Sequence, residues 1–462
     1  MKNVRTTAIL LISLMSPLTA RPEEINLPPE NLPALVATAL SSNPELKSSE
    51  SRWKMFTGKA RQAGALDDPM LMVKMQNMPV RDPLVFNKDP QSAVVVGVSQ
   101  QLPFWGKRDL RKKIALYEAD SYKWAFEERK RELSRMVKES FYKLWVIDRE
   151  VEIVDRNLKL LGDFVTLTGL KYSVGQGIQQ DIYKAGLEKS KMVEMQISLQ
   201  QQRKSLEATI NYLLYRPANT PVGPTGQFTM PRILLTAAQL NDIALENRPQ
   251  LKSLGSLVEK GSASRQLAGK ENYPDLNLSV EYMFKQPVTT AMTTDPGDNM
   301  FSVGVAFNLP LWQEKRQAMV AESLAETAMS TDELNALKNN ISYTITQTLY
   351  ELERLRKTIT LYREGILPQA RQSLESALIG YRAGKVDFLT VIDGRMTLFN
   401  YQHQQCKAEA EYMIKIAELE TTIGLDLPVP SDNPPASPAA ASARSGQQEQ
   451  KTGIETGRHD LQ

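Results

Sequence analysis

Leu276-Asn277-Leu278-Ser279-Val280-Glu281-Tyr282-Met283-Phe284-Lys285 alternates, with Leu276, Leu278, Val280, Tyr282 and Phe284 set against Asn277, Ser279, Glu281 and Lys285. Phe301, Val303, Val305, Phe307 and Leu309 repeat the pattern against Ser302, Gly304, Ala306 and Asn308. Side chains of a strand point to opposite faces in turn, so each segment has one greasy face and one polar or small face. Earlier in the chain Val94, Val96 and Val98 stand opposite Ala93, Val95, Gly97 and Ser99. Their expected partner, Met70 to Met78, has a blurred pattern. Runs of about 9–11 residues match tilted strands that cross a bilayer. An apolar exterior around a wet lumen fits, although the edge of a soluble sandwich would alternate as well.

The N-terminus bears on that choice. Lys2 and Arg5 precede Ala8-Ile9-Leu10-Leu11-Ile12-Ser13-Leu14-Met15, and small residues run on to Ala20. This is the layout of a secretory signal peptide, expected over 1–20, and the run is too short to span a membrane as a helix. No cysteine follows it, which excludes a bacterial lipoprotein anchor. No later window holds the ~18 consecutive apolar residues of a transmembrane helix. An exported chain of this kind enters a membrane as strands or not at all.

Composition narrows the function. The formal charge is +3, and removing Lys2 and Arg5 with the signal leaves +1. A nearly neutral chain carries no global field for nucleic acid. One cysteine and two histidines leave nothing for a disulfide framework or a thiolate metal cluster, and little for a histidine-based metal site. No metal, cofactor or catalytic residues are expected.

The chain is written twice. Leu35, Ala39, Leu40, Pro44, Leu46 and Lys47 recur as Leu240, Ala244, Leu245, Pro249, Leu251 and Lys252, and Leu102-Pro103-Phe104-Trp105 recurs as Leu309-Pro310-Leu311-Trp312. Tyr172-Ser173-Val174-Gly175 returns as Tyr381-Arg382-Ala383-Gly384, and Leu206 to Ile210 as Leu419 to Ile423. Matches in a constant order mark a tandem duplication. We expect a first repeat over 32–215 with a strand pair near 70–102, and a second over 236–425 with a pair near 272–309. Pro217 to Pro231 links them. From 427 to 462 proline, alanine, serine and glutamine replace large apolar residues, and a disordered tail is expected.

Between the strands lie long helices. Leu133, Val137, Leu144, Ile147, Val151, Val154, Leu158 and Leu161 recur in steps of four and three, with Ser140 filling one position. That 3.5-residue period is the mark of coiled-coil packing. The proline-free run from Lys107 to Lys171 predicts a rod of roughly 100 Å. The second copy has a less regular seam at 341–352, where a register slip is expected. Four strands per chain cannot close a barrel, since eight is the practical minimum. An open edge in lipid leaves backbone groups unpaired. Strands that span a membrane therefore require an oligomer of two or three chains, and a usable lumen favours three.

At this point the chain resembles the TolC family of outer-membrane efflux channels over about 32–425. The most specific stretch is Tyr381-Arg382-Ala383-Gly384-Lys385-Val386-Asp387-Phe388-Leu389-Thr390-Val391-Ile392-Asp393. Leu102 to Arg108 is similar to the barrel-to-helix crossing of members that serve heavy-metal and copper exporters. The resemblance implies a mainly α protomer with transmembrane β: a homotrimer with a 12-strand β-barrel in outer membrane lipid and an α-helical barrel in the periplasm. It implies a periplasmic adaptor and an inner-membrane transporter as partners, and no catalysis. Adaptor contact falls on the tips, at Tyr172, Val174, Gly175, Tyr381 and Gly384. Asp181 matches a carboxylate that hydrogen-bonds the equivalent of Tyr381 in the closed channel. Asp393 matches an acid ringing the constriction, where three copies would select cations. Thr390 stands where the best-known member has another acid, and Val386 where it has an arginine.

Other motifs carry less. Gly380 to Lys385 lacks the spacing of a phosphate loop, and Val386 replaces its Ser/Thr. Met70, Met72, Met75 and Met78 could offer soft ligands but read as strand filler, and Cys406 as a packed residue. The competing reading is an exported, non-porating coiled-coil scaffold, which would need the helices but not the two-faced strands. Nothing in the lumen singles out metal ions, drugs or a polypeptide as cargo.

Overall fold

A computed structural model of the chain describes residues 28–81, 84–289 and 294–427. The signal peptide expected at 1–20 and the tail beyond Leu427 lie outside the described residues. Helices α1 (Leu32–Ser42) and α2 (Pro44–Ala63) are split at Asn43-Pro44, because proline opens a helix far more readily than it continues one. The Asn43 side chain caps the new helix, accepting from the amides of Glu45 and Leu46. Strands β1 (Met70–Gln76) and β2 (Ala93–Leu102) follow, then α3 (Lys107–Ser173) and α4 (Gln179–Leu213). The second copy opens with α5 (Ala237–Asn247) and α6 (Pro249–Lys270), split at Pro249 as the first is at Pro44. The repeated Leu35, Ala39 and Leu46 are buried, and so are their counterparts Leu240, Ala244 and Leu251.

Then come β3 (Leu276–Lys285), the short β4 (Val288–Thr289) and β5 (Thr294–Asp295), and β6 (Met300–Phe307). The two-residue pair β4–β5 extends the connection between β3 and β6 and was not foreseen. Helices α7 (Gln313–Thr360), α8 (Leu367–Arg382) and α9 (Phe388–Ile423) complete the copy.

Helix α3 runs unbroken for 67 residues. It packs on α2 and α6 in one half of its length and on α4 and α9 in the other. Its buried seam contains Leu133, Val137, Ser140, Leu144 and Ile147, then Glu150, Val154, Asn157, Leu161, Phe164 and Thr168. Val151 and Leu158, expected in the seam, flank it half-buried. Glu150 and Asn157 take those places. Asn157 donates to the Ile153 carbonyl at 2.7 Å, and Thr168 to that of Phe164 at 2.9 Å.

The slip expected at 341–352 is absent. Ile341, Ile345, Thr348, Leu352, Leu355 and Ile359 are buried in alternating steps of four and three, with Thr348 holding the place where an apolar residue was sought. The irregularity falls later, as a π-helical turn at Leu361–Ile366 joining α7 to α8. Pro368, in the first turn of α8, has no amide to donate four residues back, and a wider turn absorbs that loss without breaking the rod.

The segment linking the repeats is a strap. Thr225 donates from its amide and hydroxyl to Asp148, Phe228 packs on Tyr142 and Trp145, and the Tyr412 hydroxyl donates to the Pro231 carbonyl.

Candidate functional site

The four long strands form one antiparallel sheet in the order β1-β2-β3-β6, so the hairpins of the two repeats join through β2 and β3. Register places Leu71 opposite Val98, Val98 opposite Val280, and Val280 opposite Val303. Val73, Val96, Tyr282 and Phe301 form the next row. This face is therefore apolar from edge to edge, and Val303, midway along β6, is 66% exposed. Met72, Gly97, Glu281 and Ser302 form a row on the opposite face. There Lys74 reaches Glu281 at 3.2 Å, past Gly97, whose missing side chain leaves room for Glu281.

Met70 and Met72 share the polar face, whereas Met75 lies on the apolar one, so strand parity keeps these methionines from converging. The strand ends at Gln76, short of Met78, and Asn77 takes a left-handed conformation with φ 54°. The apolar character of Met70 and Met72 on the polar face is what blurred the pattern. Strands β1 and β6 each pair on one side only, which leaves both edges of the sheet open.

Where the sheet meets the helices, Lys107 is 0% exposed. Its ammonium donates to Asp275 Oδ1 at 2.9 Å, Glu271 Oε2 at 3.1 Å and the Tyr273 carbonyl at 2.9 Å. Burial by itself would raise the Asp275 carboxyl, but the Phe104 amide and Lys107 together hold it below the usual range. This cluster ties the start of α3 to the chain entering β3, more than 160 residues away. Sequence reading quoted Lys107 only as part of a motif and did not single out Glu271 or Asp275. Their spacing, an acid pair four apart just before a strand, was the one available signal.

At the far end of the rods the two repeats make the same turn. Gly175 and Gly384 adopt φ of 72° and 71°, conformations in which a side chain would be strained. Gly175 donates to the Tyr172 carbonyl and Gln176 to that of Lys171; Gly384 and Lys385 repeat this toward Tyr381 and Gly380. Tyr172 and Val174 are exposed at the tip, together with Leu170 and Ile178. Tyr381, in contrast, is only 5% exposed.

The Tyr381 hydroxyl has no hydrogen-bond partner, and the expected bond from it to Asp181 is not made in this chain. Lys171 occupies the surroundings instead: its ammonium lies 4.1 Å from the Tyr381 ring centroid and donates to the Tyr381 carbonyl at 2.8 Å. Asp181 is still near, for burial first and its charge second raise the Tyr381 hydroxyl. Burial, then the charge of Asp387, in turn raise the Asp181 carboxyl. Asp387 is the residue that sequence reading passed over. It caps α9, accepting from the amide and hydroxyl of Thr390, and these bonds hold its carboxyl below the usual range. Thr390 is thus engaged at a helix start, and Asp393 is exposed one turn on.

Asp181 supplies a pH dependence. Its carboxyl sits above its ordinary value, so it favours the folded tip when protonated and loses that contribution as pH rises through its value. The Asp387 carboxyl, by contrast, is held below its ordinary value by its bonds to Thr390. Amide exchange at 172–178 and 381–387 should therefore slow as pH falls from neutral toward the carboxylate range, after correction for intrinsic exchange. Asp181→Asn should remove that dependence; an unchanged profile would refute the assignment.

Residues 240–425 match the family model described as outer membrane efflux protein. The second repeat of the chain is similar to that family. It is 21% identical over 378 residues to the cobalt-zinc-cadmium resistance protein CzcC of Cupriavidus metallidurans, covering 80% of this chain and 84% of the relative. Its identity to the pyoverdine export outer membrane protein OpmQ of Pseudomonas putida is 22%, over 71% of this chain and 68% of that one. Among solved structures, VceC from Vibrio cholerae superposes with a TM-score of 0.72 at 17% identity, covering 85% of this chain and 96% of that one. CusC gives 0.73 at 15% identity, over 85% and 92%. The fold is that of outer-membrane channels, and within it burial pushes the Cys406 thiol up to about 12.

Proposed function

We propose that three copies of this chain close a twelve-strand barrel in the outer membrane, and that their helices continue as a tunnel into the periplasm. The protein is then the exit duct of a tripartite efflux or type I secretion system. The observation that carries this reading is the sheet, with one wholly apolar face and both edges unpaired. In lipid each open backbone group would go unsatisfied, so the β6 edge of one copy must meet the β1 edge of the next. The helical layer supports the same closure. Helix α4 packs on α3 and barely on α9, and it leaves Tyr183, Leu187 and Ile197 exposed on its free side. On the α7–α8 rod Tyr343, Tyr350 and Ile379 are likewise uncovered.

The duct performs no bond chemistry; an inner-membrane transporter supplies the energy through a periplasmic adaptor. The adaptor meets the tips, where exposed Leu170, Tyr172, Val174 and Ile178 offer apolar anchors around Gly175, with Gly384 and the backbone of Tyr381 forming the matching turn. Three copies of Asp393 ring the constriction, flanked by Thr390, while Asp181, Tyr381 and Lys171 set how closely the tips approach. The relatives named for cobalt-zinc-cadmium resistance and for pyoverdine export support a duct whose architecture serves unlike cargoes.

The test is a planar bilayer. Purified protein should form discrete cation-preferring channels and migrate as a heat-modifiable trimer in detergent gels. Asp393→Ala should lower the cation-to-anion permeability ratio severalfold, because a ring of like charge sets selectivity. A water-soluble protein without conductance would overturn the duct, and unchanged selectivity in Asp393→Ala would remove the ring.

A further inference from the structure

At the helical end of the sheet, on its apolar face, the ends of β2, β3 and β6 enclose a pocket of about 410 Å³. Leu66, Leu102, Phe104, Leu276 and Phe307 line it, with Trp105, Arg108 and Asp109 at its wall. That volume lies within the range of sites that hold small organic molecules. Trp105 is 80% exposed, and Trp312, its counterpart in the second repeat, is 76% exposed. Indole rings at the ends of lipid-facing strands mark the level where hydrocarbon gives way to headgroups. Arg108 makes no ion pair or hydrogen bond among the described residues, whereas Lys107, Arg111 and Lys270 are engaged. Lys107 is buried on Glu271 and Asp275, Arg111 faces Glu271, and Lys270 donates to the Trp105 carbonyl.

We infer that this pocket binds one anionic phospholipid of the inner leaflet in each protomer, with an acyl chain on Leu102, Leu276 and Phe307 and the phosphate on Arg108. The inference rests on the barrel reading, which puts this face in lipid. Two observations select lipid over a protein segment. The pocket is continuous with the apolar sheet face, where a hydrocarbon chain can lie along the strands. An arginine without a partner at the headgroup level complements a phosphate, and its planar fork suits that group. Asp109 opposes the anion, which gives the proposal a second handle. The buried Lys107 cluster beneath the turn keeps the pocket wall in place whether or not lipid is bound.

Trp105 is the reporter. Trimer in mild detergent would be titrated with phosphatidylglycerol or phosphatidylethanolamine carrying brominated acyl chains, and the quenching that disappears in Trp105→Phe would be followed. Phosphatidylglycerol should half-quench at about fivefold lower concentration than phosphatidylethanolamine, the effect of one cation near an anionic headgroup. Arg108→Gln should abolish that preference, Arg108→Lys should restore part of it, and Asp109→Asn should enlarge it. Lys113→Gln, an exposed cation outside the pocket, should leave it unchanged. Equal quenching by both lipids in the unaltered protein, or an unaltered preference in Arg108→Gln, overturns the proposal. So does relief of quenching by inorganic phosphate alone, which would mean that the site takes a free anion. Planar-bilayer conductance separates the two readings. Channels without a lipid preference refute only the pocket, whereas absence of channels refutes the barrel on which it rests.

Discussion

Val303→Arg should leave the protein unable to form a heat-resistant trimer in the outer membrane, while Ser302→Arg, one residue away, should assemble. Val303 stands in the middle of β6 on the apolar face, opposite Val280. Arginine at the lipid-facing midplane of a barrel costs about 2–4 kcal/mol, and a trimer carries the substitution three times. That total is comparable to the whole stability of an ordinary domain. Ser302 projects to the other face, where Glu281 is its register partner and can pair with the new guanidinium. Three arginines there should shift the channel toward anions without preventing closure. The check is outer-membrane fractionation with unheated gels, followed by conductance of whatever trimer forms. If Ser302→Arg proves the more damaging change, the faces have been assigned the wrong way round and the barrel reading fails with them.

The second large effect is expected at the junction. Lys107→Met should destabilise the protein by about 3–5 kcal/mol, because it strips the cation from two partly buried carboxylates and leaves them facing each other. Asp275 would then lose the ammonium that, with the Phe104 amide, offsets its burial. Neutralising it as well, in Lys107→Met with Asp275→Asn, should recover part of the loss, since a desolvated negative charge is removed with its partner. The measurement is the temperature at which the unheated trimer dissociates, compared across the three proteins. Equal loss in the single and double variants would mean that the ammonium contributes by packing alone. Because Lys107 joins the start of α3 to the entry of β3, cleavage next to Trp105 or next to Tyr273 should become the earliest in the single variant.

Much of this architecture could be read without coordinates. Alternation in 276–285 and 301–309 placed β3 and β6, and the doubled Leu-Ala-Pro-Leu pattern marked the duplication, with Leu35, Ala39 and Leu46 and their counterparts buried in both copies. Reading failed where a polar side chain serves a buried position. Thr348 is buried and keeps the second coiled-coil seam regular, and a search for apolar residues alone mistook it for a break. Glu150 and Asn157 displaced Val151 and Leu158 for the same reason. The π-helical turn was equally hidden, since Pro368 announces a disturbance without saying that the rod will continue through it. At the tips, motif and turn were visible, but the bond expected between Asp181 and Tyr381 was not formed, and Lys171 and Asp387 were the groups surrounding them.

What the sequence by itself determined is the local grammar: two-faced strands too few to close, rods too long for a globular core, and a plan stated twice. Each follows from periodicities of two, 3.5 or about two hundred residues, which need no knowledge of distant partners. Only the tertiary structure decided that β2 pairs with β3, so that the open edges belong to β1 and β6. It alone set Lys107 against Glu271 and Asp275 and exposed Arg108 beside an apolar pocket. Those facts depend on segments more than 160 residues apart being brought within hydrogen-bond distance. No repeat or period along the chain records where a charge will find its counterpart in space.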